Sequence, residues 1–78
     1  FQPNPGCWFD LVDARIKIIK AIEVEKTGEA GTIIDNKMTI ACSKNAVQIL
    51  ELKKEGKKQM LVEEYLRGNK IKIGQKVN

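Results

Sequence analysis

Hydrophobic and polar positions alternate with a period of two along most of this chain, which predicts strands more often than helices. In residues 15–25 the even positions hold Ile16, Ile18, Lys20, Ile22 and Val24, and the odd ones hold Arg15, Lys17, Ile19, Ala21, Glu23 and Glu25. The alternation breaks once, at Ile19-Lys20. With four Ile and one Val, a half-buried strand carrying a bulge fits better than a helix. Two glycines make 26–31 a turn, and 32–35 a short strand. Asp35-Asn36-Lys37 is predicted to be a tight hairpin connection, because Asn and Asp tolerate positive φ and bond back to their own backbone. Met38, Ile40 and Cys42 then alternate with Lys37, Thr39 and Ala41 in the cleanest period-two run of the chain. After a turn at Ser43-Lys44-Asn45, residues 46–54 are apolar on both sides, Val47 and Ile49 on one and Leu50 and Leu52 on the other. Such a strand is central in a sheet, or bulged. Residues 55–58, around Gly56, break it.

Residues 60–67 change period. Leu61, Val62, Tyr65 and Leu66 share one face, with Glu63 and Glu64 opposite, predicting an amphipathic helix of about two turns. Gly68 is its expected C-cap, and Arg67 suits the negative end of the helix dipole. Ile71 and Ile73 flank Lys72 in a predicted last strand, with Gly74 allowing a turn or bulge before Val77. At the other end, Pro3 and Pro5 forbid a regular strand or helix, so 1–14 is expected to run as an extended arm or loop pinned by its aromatic residues. The pattern gives about five short strands and one short helix, a mainly β fold without internal repeats.

Composition narrows the function. The chain has 78 residues, room for one small domain. The absence of His excludes Ser-His-Asp and Cys-His catalysis and His-ligated metal sites. Cys7 and Cys42 are too few for a disulfide framework, and free thiols in a reducing compartment are expected. No apolar run approaches the ~20 residues of a membrane span, and no signal peptide is visible. The chain opens on Phe-Gln-Pro-Asn-Pro without an initiating Met, which reads as a fragment or a processed chain. The carboxylate pairs Glu63-Glu64 and Glu23/Glu25 fall on solvated faces, where nothing raises their pKa for acid–base work. Cys7 has no base near it in sequence, and Gly28 and Gly31 match no phosphate loop.

The basic residues carry the functional signal. Lys and Arg number 14 against 10 acidic residues, a net charge of +4. Arg15, Lys17 and Lys20 lie on the first strand, Lys53, Lys54, Lys57 and Lys58 cluster around Gly56, and Arg67, Lys70 and Lys72 follow. Such a stripe suits a phosphate backbone. It is equally the pattern of a lysine-rich soluble surface, and 5% aromatic content is low for base stacking.

A series of short motifs then occurs in order. Pro3-Asn4-Pro5-Gly6-Cys7-Trp8-Phe9 resembles the P-x-PGAWF opening of the C-terminal domain of methionyl-tRNA formyltransferases. Arg15-Ile16-Lys17-Ile18 with Ala21 resembles that family's first long strand. Gly31-Thr32-Ile33 is similar to its PGT(I/V) turn. Ile40-Ala41-Cys42, Ala46-Val47 and Leu50-Glu51-Leu52 resemble its V-x-C-G…L-x-L strands. Gly56-Lys57-Lys58 with Met60, and Tyr65-Leu66-Arg67-Gly68, match its GKKxM and F-L-R-G elements, and Ile73-Gly74 with Val77 its closing G-x-x-L. The departures are Ser43 where the family has Gly, Lys53-Lys54 where it often has Leu-Gln, and Leu61 in place of a helix-capping Ser, a loss of ~1 kcal/mol.

The resemblance implies a small open β-barrel of five to six strands, partly OB-like and Greek-key, with one short helix near the C-terminus. It implies an arm at 1–14 leading from an interdomain linker, and the barrel domain at 15–78. In the family a separate N-terminal domain holds the catalytic residues and 10-formyltetrahydrofolate, the formyl donor, so no catalytic, cofactor or metal site is expected in this fragment. The implied partners are initiator tRNA, bound by positive charge, and the N-terminal domain of the same chain, in a cytoplasmic monomer without membrane contact. The candidate RNA-binding residues are Arg15, Lys17, Lys20, Lys53, Lys54, Lys57, Lys58, Arg67, Lys70 and Lys72. Related barrels in amino-sugar formyltransferases and folate dehydrogenases serve instead as packing modules. The GKKxM element and the PGxW start favour the tRNA enzyme.

Overall fold

The computed structural model describes residues 6–11 and 14–77. Its elements in chain order are β1 (Trp8–Leu11), β2 (Ala14–Val24), β3 (Thr39–Ala41), β4 (Ala46–Lys54), β5 (Gln59–Leu61) and α1 (Val62–Gly68). All pairings are antiparallel. The sheet order is β1-β2-β4-β3, and β5 pairs with the other half of the β4 edge that β3 occupies. The result is an open, curled half-barrel measuring 31 × 22 × 19 Å.

The curl originates in the β2–β4 ladder. Between Ile18–Leu52 and Lys20–Glu51 the register advances two residues on β2 and one on β4; between Lys20–Glu51 and Ala21–Ile49 it advances one and two. Ile19 and Leu50 are therefore compensating extra residues, one in each strand, and such bulges bend and twist a sheet. They also swap which residues face inward. Ile16 and Ile18 are fully buried before the break; beyond it Ala21 packs on the core and Ile22 is 46% exposed. On β4 the buried positions are Ala46, Ile49 and Leu52, every third residue. The bulge predicted near Ile19-Lys20 is present, and the strand apolar on both sides is central, as expected.

The leading segment corrects the sequence reading. Trp8–Leu11 is a strand rather than loop, in register with β2 from Trp8–Lys17 to Leu11–Ala14. Phe9 and Leu11 enter the core with Ile16, Ile18, Leu52 and Tyr65. The prolines Pro3 and Pro5 lie outside the described residues, and their ban on regular structure does not reach Trp8.

Segment 31–34 pairs with β3 through Ile34 N–H to Thr39 O (2.9 Å) and Ala41 N–H to Thr32 O (2.9 Å). Its other side meets the chain end, Ile33 N–H to Gln75 O (2.9 Å) and Val77 N–H to Gly31 O (2.8 Å). This covers the β3 edge, and β3 is buried on both faces rather than alternating. The pairing predicted for 71–73 thus lies further along, because a turn joins Gln75 N–H to Lys72 O (3.1 Å) and leaves Ile73 in solvent.

The helix also starts later than its apolar pattern implies. Met60 and Leu61 pair with Leu52 and Glu51 as part of β5, so sheet hydrogen bonding overrides their helical spacing. Leu61 occupies the N-cap position without a side-chain bond, as expected, and the acidic first turn (Glu63, Glu64) and Arg67 in the last turn complement the dipole. Gly68 is the last helical residue, not the left-handed cap; Asn69 caps in an extended conformation and its Nδ2 donates to Tyr65 O at 3.1 Å.

The 35–38 hairpin turn depends on one carboxylate. Asp35 Oδ1 accepts from the backbone N–H of Lys37 (2.8 Å) and Thr39 (3.2 Å), and Oδ2 accepts from Thr39 Oγ1 (2.8 Å) and Lys26 Nζ (2.9 Å). The positive φ falls on Met38 (64°), not on Asp35 or Asn36, because the fully buried Met38 side chain must reach the core. Partial burial pushes the Asp35 carboxyl up, but the bonds from Lys26, Thr39 and the two amides outweigh it and lower its pKa from 3.8 to about 2. A lowered folded-state pKa stabilises the fold above pH ~4, and that stabilisation is lost as pH falls toward 2. Asp35→Ala is expected to cost about 1–3 kcal/mol near neutral pH. Urea unfolding between pH 6 and pH ~2 should show the wild-type advantage shrinking with acid.

Candidate nucleic-acid interface

Strand geometry sorts the ten candidate cations. Neighbours along a strand point to opposite faces, so Lys53 and Lys54 part company at the end of β4. Lys17 and Lys53 are direct cross-strand partners, flanked by Trp8 on β1 and Gln59 on β5. Ile16, Ile18 and Leu52 point into the core, so this row lies on the outer face. Lys17 Nζ sits 5.8 Å from the Trp8 ring centroid, a cation–π contact worth ~0.5–1 kcal/mol in an exposed setting. Trp8 itself is 41% exposed.

Lys57 and Lys58 stand in the β4–β5 turn, shaped by Lys57 N–H to Lys54 O (2.8 Å) and by Gly56 at φ +81°, a conformation that favours glycine. Arg15 lies at the same end of the ladder: its carbonyl accepts from Glu55 N–H (2.9 Å), while its Nε bonds Asp10 Oδ1 at 3.3 Å across an exposed pair. On the opposite face Lys54, Lys70 and Lys72 line one hollow. Eight of the ten candidates therefore gather at one end of the molecule. Lys20 does not join them; it stands opposite Glu51. Arg67 lines a different groove with Lys37, Leu50 and Leu66.

The far end of the β2–β4 ladder carries Glu23 and Glu25, and Asn45 Nδ2 donates to Glu23 Oε2 at 2.9 Å. Glu63 and Glu64 are exposed, consistent with a solvated face. Sequence reasoning did not place Trp8 on the basic face. The signal for it is the alternation of Phe9 and Leu11 with Trp8 and Asp10, which predicts a strand once the prolines are set aside.

The chain matches, over residues 1–70, the family described as Formyl transferase, C-terminal domain. It belongs to that family. Among curated proteins it is similar to the methionyl-tRNA formyltransferases of Bradyrhizobium diazoefficiens (38% identity, 96% of this chain, 25% of the relative) and Paramagnetospirillum magneticum (40%, 94% and 24%). The enzyme of that name from Nitrobacter hamburgensis is 39% identical over 91% of this chain and 24% of its own length. The chain spans about a quarter of the length of these relatives. Among the described residues, no helix is long and apolar enough to cross a membrane.

Both thiols are free, Cys7 exposed and Cys42 half-buried. Desolvation by burial, and secondarily the charge of Glu23, push the Cys42 thiol up. Because the thiolate is the reactive form, a thiol reagent at neutral pH is expected to modify Cys7 well before Cys42. Single Cys→Ser variants assign the two phases.

Proposed function

We propose that this chain is the C-terminal, tRNA-binding domain of a methionyl-tRNA formyltransferase. The observation that carries the reading is similarity over nearly the whole chain to proteins of that name. The gathering of cations at one end of the barrel supports a role in holding RNA.

In this reading the domain is not itself catalytic. A separate N-terminal domain of the same polypeptide takes the formyl group from 10-formyltetrahydrofolate and transfers it to initiator methionyl-tRNA, in the cytoplasm, for translation initiation. The barrel contributes affinity through Lys53, Lys57, Lys58 and their neighbours. Lysine contacts to phosphates fix position without reading sequence, so selection of the initiator tRNA lies elsewhere. Tethering makes even a weak contact effective, because it raises the local concentration of the acceptor end at the catalytic domain.

The test is tRNA affinity as a function of salt, using the full polypeptide that carries this domain. With about 4–6 phosphates contacted, log K should fall steeply with log[salt], by ~0.7–0.9 per contact. Lys57→Ala with Lys58→Ala should weaken binding while stability stays within ~0.5 kcal/mol, since both side chains are exposed. A flat salt response would overturn the RNA-binding role and leave the barrel as a packing module. Unfolding of the double variant would make these lysines structural.

A further inference from the structure

The hollow at the basic end has a lining unlike that of an ordinary small-molecule cleft. It lies where β4 ends, beside the C-terminal turn of α1 and the 69–75 segment, and is lined by Lys54, Tyr65, Asn69, Lys70, Lys72 and Gln75, with Leu11 and Ala14 at its edge. Its volume, about 580 Å³, is within the usual range for ligand clefts. Such clefts are mostly apolar with a few polar groups; among the described residues, this one is lined by three lysines and by no Asp or Glu.

Among the described residues, Arg15, Lys26 and Lys76 each pair with a carboxylate, whereas Lys54, Lys70 and Lys72 do not. The backbone around them is braced. Asn69 Nδ2 bonds Tyr65 O at 3.1 Å, and Lys72 N–H donates to Gln75 Oε1 at 3.2 Å. The C-terminus of α1 contributes an unfavourable partial charge of roughly −0.5 toward an anion. Asn69 covers one of its carbonyls, and three full positive charges outweigh the remainder. Three like charges around one concavity repel one another, and a bound anion relieves that repulsion.

We infer that this hollow seats one phosphate of an RNA backbone, anchoring the basic end on its ligand while Lys53, Lys57 and Lys58 meet neighbouring phosphates along the rim. The inference rests on the RNA-binding reading above and adds to it the residues that hold the anchor.

The experiment uses the full polypeptide and a tRNA transcript, with affinity measured across a salt series. The triple variant K54Q/K70Q/K72Q is compared with K26Q/K37Q/K44Q, which removes the same charge away from the hollow. The hollow variant should bind roughly tenfold more weakly, with the salt slope reduced by about one. The control should keep the wild-type slope. K54R/K70R/K72R should bind within about threefold of wild type, because charge rather than lysine shape is needed, and thermal melts check that all variants fold. If wild type binds with a steep slope and the Gln variant matches it, the hollow is not the anchor, although the RNA-binding role stands. If wild type itself does not bind tRNA, both fail. A parallel titration with inorganic phosphate at constant ionic strength follows the amides of residues 68–75 by NMR. Weak, millimolar perturbation is expected; tight saturation by free phosphate, with tRNA affinity unchanged in the Gln variant, would assign the hollow to a small anion and overturn the RNA anchor.

Discussion

The ladder between β2 and β4 runs from Ile16–Lys54 to Val24–Ala46, and every other element is positioned by it. β1 adds to the free edge of β2, while β3 and β5 divide the far edge of β4. The paired bulges at Ile19 and Leu50 give this ladder its curl. Without them Ile22 would continue the inward row of Ile16 and Ile18, and the sheet would flatten. With them, Ile18 and Leu52 close one half of the core and Ala21 and Ile49 the other, so a chain of this size encloses a shared core from Phe9 to Val77. Fully burying side chains of this size contributes ~1.5–3 kcal/mol each, which a small domain needs because it buries a smaller share of its surface than a large one.

The same ladder separates charge. Eight or nine residues of strand span ~25–30 Å, about the long dimension of the molecule. Arg15, Lys17, Lys53 and Lys54 fall at one end, and the turn that follows adds Lys57 and Lys58. Glu23 and Glu25 fall at the other. The net charge of +4 understates the field at the basic end for that reason. Because Lys53 and Lys54 face opposite sides of β4, the basic end is wrapped rather than flat: an outer row with Trp8 and Lys17, a rim at the hairpin, and the hollow behind. Such a surface suits a curved polyanion better than a flat sheet face would.

Much of this was legible in the sequence because alternation survives where a strand has one buried face. The extent of β4, the bulge in β2 and the missing cap at Leu61 are all visible in the residues themselves. Three features were not. Trp8–Leu11 was hidden by the prolines upstream, whose effect is only local. Met60 and Leu61 carry a helical spacing that only their pairing with Leu52 and Glu51 overrules. Ile71 and Ile73 alternate as a strand would, but the turn at 72–75 shifts the pairing to the residues beyond. The candidate cations were found as types, since lysines are easy to count. Their division between two faces was not, because it depends on which strands pair and on where the 69–75 segment folds back beside the end of β4. The family motifs carried the functional class further than composition did, since composition alone cannot separate an RNA-binding surface from a soluble one.

The central claim is that RNA meets the basic end of the β2–β4 ladder and not the far end. Hydrogen–deuterium exchange of the full polypeptide, with and without bound tRNA, addresses it most directly. Slowed exchange on binding is expected in residues 54–58 and 69–75, with little change in residues 23–26 and 43–45. Protection confined to the far end, or an exchange pattern across the domain identical with and without bound tRNA, would contradict it.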